Sequence, residues 1–301
     1  MRFYAKQTDE RKFSMRNNLL GDIALKMPSL SKGQKILANY VTEHYDKAAY
    51  MTAARLGEVV GVSESTVVRF AIGLGFEGYP DLRRALQELV RTNLTSFRRM
   101  EVTDDRIGNG DVLASVLSSD SDNIRKTLEE IDRTAFDTAI ERITSAEKIY
   151  IMGVRSSAFI ASFLGYNLRM IFDNVKLVES TSGSEMFEEI MNIGENDVMI
   201  AISFPRYSKR IINAVNYAKR AGANVIAITD GEKSPIASGA SQLLMAKSDM
   251  ASFVDSLVAP LSIVNAIIVA LARKNRDELA GRLRRLEEIW DEYDVYDKSH
   301  S

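Results

Sequence analysis

The sequence predicts an all-α helix-turn-helix domain followed by an α/β doubly wound domain with a five-stranded parallel sheet. Three observations predict it. The stretch from Leu56 to Gly78, LGEVVGVSESTVVRFAIGLGFEG, reads as two short helices meeting at a tight turn. Five short apolar runs, Ile149–Met152, Val175–Val178, Val198–Ser203, Val225–Thr229 and Leu243–Met245, alternate with helical stretches. Between the two regions, Glu101–Asp111 turns to Thr, Asp, Gly and Asn, the composition of a hinge.

Residues 1–29 are polar and mildly basic, mobile in their first part, with a short helix over Leu19–Lys26. Ser31 and Gln34 form a capping box ahead of the next helix, in which Ile36, Leu37, Tyr40 and Val41 fall on one stripe. That helix ends near His44-Tyr45. Helices follow over Thr52–Val60 and Ser63–Leu74, with Leu56, Val60, Val62, Val67 and Phe70 on their inner faces. Gly61 stops the first, because glycine adopts the left-handed C′ conformation without a Cβ clash. Ser63 caps the second. Gly57 stands where this motif usually carries alanine, which loosens the first helix by roughly 1 kcal/mol. Tyr79-Pro80-Asp81 opens a further helix lined by Leu82, Leu86, Leu89 and Val90.

The second helix of the pair begins with small polar residues, Ser63, Glu64, Ser65 and Thr66, with Arg69 one turn on. A helix of this kind enters the major groove amino end first. Short side chains there reach base edges, and an arginine reaches guanine or phosphate. These five residues are the candidate contacts to double-stranded DNA. Charge distribution agrees: residues 1–100 carry an excess of six positive charges and residues 101–301 an excess of eight negative, within a net charge of −2. Phosphate attraction is therefore confined to the amino-terminal part.

Other classes are excluded by composition. The chain has 301 residues, 46% hydrophobic and 27% charged, an ordinary globular mixture long enough for two domains. Without cysteine there are no disulfides, thiolate metal sites or thiol nucleophiles. Two histidines, His44 and His300, leave little for a metal site. The charged start MRFYAKQTDERKFSMRNN lacks the apolar run of a signal peptide. The most apolar stretch, Leu257–Ala272, is too short for a comfortable bilayer span and reads as a core helix. A cytoplasmic protein without membrane partner, metal or cofactor is expected.

In the second half, helices over Val112–Ile131 and Thr134–Thr144 precede the apolar runs. The runs start 26, 23, 27 and 18 residues apart, which suits repeated βα units in a parallel sheet. Helices are expected over Ser157–Ile171, Glu185–Met191, Ser208–Ala221 and Phe253–Lys274. The tail, with Leu279, Leu283, Leu286, Trp290 and Tyr293, reads as a helix packing on its own domain or across a dimer. The organisation follows: a DNA-binding domain over 1–100 with its motif at about 52–74, a linker and connecting helix over 101–127, an effector domain over 128–275 and a carboxyl-terminal helix over 276–301.

Ligands of such sheets bind outside the carboxyl ends of the strands. The first strand ends in Gly153-Val-Arg-Ser-Ser157, where Ser156 and Ser157 lie at a helix start that favours an anion. The second ends in Glu179-Ser-Thr-Ser-Gly183, offering Thr181 and Ser182. The third ends in Ser203-Phe-Pro-Arg-Tyr-Ser208, offering Ser203, Arg206, Tyr207 and Ser208. These loops converge on one sheet edge and suit a small polyhydroxylated or anionic ligand.

These features together resemble the MurR/RpiR family of bacterial transcription regulators, in which a helix-turn-helix precedes a sugar isomerase (SIS) domain. The resemblance covers about residues 28–275. It implies that Gly153–Ser157 form the first phosphosugar loop and residues 202–208 the second, which in the family commonly reads Ile-Ser-x-Ser-Gly-x-Thr/Ser. Ser203 and Ser208 keep its hydroxyls; Pro205 and Arg206 replace its middle serine and its glycine. The proline removes a backbone donor, whereas Arg206 supplies charge. The SIS isomerases and lyases that the chain also resembles place a glutamate with a lysine or histidine around the sugar. Here Ser252-Phe-Val-Asp-Ser256 offers only Asp255, with Glu185 and Glu188 elsewhere. The expected protein is a non-catalytic regulator, a homodimer or tetramer, that binds operator DNA and a phosphosugar or related anionic effector.

Overall fold

The computed structural model of the chain describes residues 19–93, 95–108, 110–180, 182–249 and 252–296. The sequence reading of residues 1–18, and His300, lie outside the described residues. The chain divides into two compact units: residues 1–110 with 252–254, and residues 111–251 with 255–301.

The first unit is helical: α1 (Leu19–Lys26), a single 3-10 turn (Met27–Ser29), α2 (Lys32–Glu43), α3 (Tyr45–Ala48), α4 (Ala53–Val60), α5 (Glu64–Leu74), α6 (Tyr79–Asn93) and α7 (Ser96–Ile107). Both reciprocal bonds of the Ser31/Gln34 capping box fix the start of α2. Its stripe buries Leu37 and Val41, but Ile36 is exposed. Ile23, Leu37, Leu56, Val67, Phe70, Leu82 and Leu86 are fully buried and form the centre of this unit. Tyr79 clips α6 to the end of α3, its hydroxyl donating to the Met51 carbonyl at 3.0 Å.

Residues 101–107, read from the sequence as hinge, are helical instead. Thr95 caps α7 by accepting from the Arg98 amide at 3.3 Å. Arg98 then reaches the buried Asp46 carboxylate at 2.6 Å and Glu101 at 2.8 Å. Both partners hold the Arg98 guanidinium firmly protonated, Glu101 by its hydrogen bond first. Tertiary contacts, this long-range ion pair and the burial of Arg99, Val102 and Thr103 among them, offset the weak helix propensity of the Thr and Asp residues there. The helix stops at Gly108, whose φ is +54°.

The second unit opens with α8 (Val112–Glu130) and α9 (Arg133–Ser145), capped by Asp111 and Asp132. Five strands follow, β1 (Ile149–Gly153), β2 (Val175–Val178), β3 (Val198–Ile202), β4 (Asn224–Thr229) and β5 (Gln242–Met245), all parallel in the order β2-β1-β3-β4-β5. They alternate with α10 (Ser156–Ile171), α11 (Gly183–Ile190), α12 (Lys209–Arg220) and, after β5, α13 (Val258–Lys274) and α14 (Arg276–Glu292). One face of the sheet buries Ile149, Ile151, Ile200, Ile202, Ile226 and Ile228 in one core cluster. The other buries Tyr150, Met152, Met199, Ala201, Val225 and Ala227 in a second. Alternate residues serve opposite layers, and both layers are apolar, so the strands read as continuous apolar runs.

The last core helix was expected from Phe253 but begins at Val258. Pro260 lies in its first turn, where a missing N–H costs nothing. Ser256 is held just ahead of it, its hydroxyl donating to Asp120 on α8 at 2.5 Å. In α14, Leu279 packs on the core of its own domain, and Arg282 grips Asp173 through two bonds of 2.6 and 2.7 Å. Among the described residues no single helix is long and apolar enough to cross a membrane.

Candidate DNA-reading helix and effector loops

In the helix-turn-helix, Gly61 caps α4 in the left-handed region at φ +76°. The Val62 amide then returns to the Gly57 carbonyl at 2.8 Å. Gly57 itself is buried under this turn: a Cβ there would lie 2.7 Å from the Val62 carbonyl oxygen. The glycine that weakens α4 therefore lets the turn close down on it. Ser63 caps α5, accepting from the Thr66 amide at 3.3 Å, with its hydroxyl 2.8 Å from that of Thr66 and 3.0 Å from that of Ser65. Ser63 is thereby engaged in shaping the helix start. Glu64, Ser65 and Arg69 are exposed, and Thr66 is half-buried. Arg69 folds back along the helix, its Nε donating to the Ser65 carbonyl at 3.2 Å.

At the sheet, β1 pairs with β2 through Met152–Val178 and with β3 through Gly153–Ile202, so the loops beyond these residues emerge side by side. The chain turns from β1 into α10 so sharply that a Cβ on Gly153 would lie 2.3 Å from the Ser157 carbonyl oxygen. Only glycine fits. Ser157 and Ser203 are buried, at 4% and 5% exposure. Neither hydroxyl has a hydrogen-bond partner among the described residues. Ser180, beyond β2, has its hydroxyl shielded from solvent and likewise without a partner. Three adjacent strands thus each deliver one serine hydroxyl without a partner among the described residues, and that of Ser180 is shielded from solvent. A shielded hydroxyl such as that of Ser180 is costly to leave unmet.

The other candidates divide by role. Ser156 is exposed at the start of α10. Ser182 caps α11 and accepts from the Glu185 amide at 3.1 Å. Ser208 caps α12 and accepts from the Arg210 amide at 3.3 Å. Tyr207 is turned to Asp230 beyond β4, donating to its carboxylate at 2.8 Å. Arg206 is exposed and carries a φ of +64°. Thr181 lies outside the described residues.

Three residues were not singled out from the sequence. Ser180 stood unmarked between Glu179 and Thr181. Arg210 spans two loops, its guanidinium donating to the Ser180 carbonyl at 3.3 Å. Arg155, at φ +60°, repeats in the first loop the left-handed arginine that Arg206 forms in the second. Its place between Gly153 and Ser156 was the available signal.

This edge offers hydroxyls, helix starts and arginines but little for acid–base chemistry. Glu185 and Glu188 are exposed on α11. Asp255 is half-buried ahead of α13. Among the described residues no group of three or more histidine, aspartate or glutamate side chains is arranged to hold a metal ion.

The fold and its loops define a class: a helix-turn-helix unit joined to an α/β domain of the sugar-isomerase type. Residues 17–92 match the helix-turn-helix domain of the rpiR family, and residues 142–270 match the SIS domain. The chain belongs to the RpiR family of transcriptional regulators. It is 24% identical over 282 residues to the HTH-type transcriptional regulator HexR of Escherichia coli K12, covering 90% of this chain and 93% of that one. The NanR protein of Vibrio vulnificus, solved in complex with ManNAc-6P, shares its fold with a TM-score of 0.57 at 23% identity, over 92% of this chain and 99% of that one. The sugar isomerase domain of an RpiR transcription factor from Sphaerobacter thermophilus superposes with a TM-score of 0.55 at 25% identity, over 58% of this chain and 97% of that one. The chain stands with regulators rather than with sugar-phosphate isomerases.

Proposed function

We propose that this regulator reads duplex operator DNA through the amino end of α5 and is controlled by an anionic sugar derivative, a phosphosugar or sugar acid. The effector binds at the carboxyl edge of the sheet. The observation that carries this reading is the set of three serine hydroxyls without partners among the described residues, Ser157, Ser180 and Ser203, beyond three adjacent strands, with Arg206 in the third of these loops and α10 and α12 starting from the first and third. Hydroxyls and helix starts bind the oxygens of an anion, and an arginine fork grips phosphate or carboxylate. That the NanR relative was solved with ManNAc-6P supports a phosphosugar. Thr181 and Ser182 are the further candidates after β2 in the sequence.

The protein acts in the cytoplasm as a homodimer or tetramer on a two-fold-related operator. Two exposed apolar stripes support self-association: Phe159, Phe163 and Tyr166 on α10, and Leu113, Leu117 and Leu128 on α8.

Titration calorimetry against a panel of aldose, ketose and amino-sugar phosphates and sugar acids tests the effector. Ser157→Ala and Ser203→Ala each weaken the ligand that binds, and Arg206→Ala weakens it most, by about 1.5–3 kcal/mol for a lost charge-assisted bond. Equal affinity across all variants would place the effector elsewhere. Capture of genomic fragments by the full chain tests the DNA reading. There Arg69→Ala costs about 1–3 kcal/mol if it reads a base.

A further inference from the structure

The first turn of α2 carries charge that the fold itself does not use. Lys32 and Lys35 stand three residues apart on this helix, and both are exposed. Among the described residues neither amine has a hydrogen bond or an ion pair, and the first turn holds no acidic residue. This is the electrostatically wrong place for cations: the start of a helix is its positive end, and lysines there are disfavoured. The same turn lies against the DNA-reading helix. A Cβ on Gly33 would be 3.5 Å from both Thr66 Cγ2 and Val62 Cγ1, and one on Gly73 would be 4.0 Å from the Gln34 amide nitrogen. Lys32 and Lys35 thus bracket Gly33 and Gln34, the two residues by which this turn approaches α5 at Thr66 and Gly73.

We infer that α2 is a second DNA-contacting element, with Lys32 and Lys35 binding the sugar-phosphate backbone beside the groove that α5 enters. The inference rests on the proposed DNA reading and adds to it a division of labour. The amino end of α5 discriminates sequence, while α2 supplies sequence-independent grip and holds register. The repulsion between two like charges at a positive helix end, unrelieved in the free protein, is relieved by a phosphate.

The experiment measures the salt dependence of binding of the full-length protein to a fluorescent duplex of mixed sequence, by anisotropy. Each lysine that displaces a counterion contributes about 0.9 to the slope of log affinity against log salt. The double variant Lys32→Gln/Lys35→Gln is expected to lower that slope by about 1.8. It should weaken mixed-sequence and preferred duplexes by the same factor. Lys32→Arg/Lys35→Arg should keep the wild-type slope, and circular dichroism should show both variants folded. An unchanged slope in the glutamine variant, with wild type binding normally, overturns the inference alone. A wild-type protein that binds no duplex overturns the DNA reading itself.

Discussion

The Tyr207 hydroxyl donates to the Asp230 carboxylate at 2.8 Å and so ties the loop beyond β3 to the loop beyond β4. Tyr207 therefore braces the proposed effector edge from the side. Tyr207→Phe removes a hydrogen bond to a charged group, worth about 1.5–3 kcal/mol. Thermal melting of the second unit should fall accordingly, and calorimetry should show weaker effector binding with the fold retained.

Arg206 occupies a backbone conformation suited to glycine, at φ +64°. Arg206→Gly should act in opposite directions on stability and binding. Relief of the left-handed conformation stabilises the fold by about 1 kcal/mol, whereas loss of the guanidinium weakens the anionic effector. A variant that melts no higher, or binds as tightly as wild type, contradicts the assignment.

Gly57 packs under the turn that follows α4, with no room for a side chain. Gly57→Val would force a branched Cβ into the 2.7 Å gap to the Val62 carbonyl. Overpacking of this kind costs about 1–3 kcal/mol or more. The variant should show a lower melting temperature for the amino-terminal unit and lose DNA binding, while effector binding in the other unit persists.

Tyr79 sets an alkaline limit on the amino-terminal unit. Burial pushes its hydroxyl up from 10.0 to about 12, against a smaller opposing pull from Arg83. A folded-state value above the unfolded one means that the stabilisation is complete below about pH 10 and is lost as pH rises through about 12. Melting followed by circular dichroism over that interval should show the decline. Tyr79→Phe should be less stable at neutral pH and less sensitive to alkali.

Much of this was legible in the sequence where local chemistry decides the outcome. Gly61 followed by Ser63 marks the turn, because a left-handed stop and a hydroxyl cap need those residue types. The spaced apolar runs mark the strands, because both faces of the sheet are covered. What escaped depends on distant partners. The helix over Ser96–Ile107 is held by Arg98 reaching Asp46, about fifty residues away in sequence, and no local pattern announces that pair. Nor does an arginine advertise a positive φ; only the family's glycine at that loop position hinted at the backbone beneath Arg206. That the Ser180 hydroxyl is shielded while Ser182 caps α11 depends on how β2 sits in the sheet, which the local sequence does not spell out.

The hydroxyl-lined edge has a consequence for signalling. Glu185 and Glu188 are exposed on α11, so on the proposed reading a sugar derivative at Ser157, Ser180 and Ser203 meets hydroxyl donors and acceptors rather than these carboxylates. Under that proposal the molecule leaves as it arrived. Occupancy then tracks concentration at equilibrium, and the protein samples a metabolic pool without draining it. An isomerase fold retained in this way serves as a gauge, whose reading reverses as soon as the pool falls.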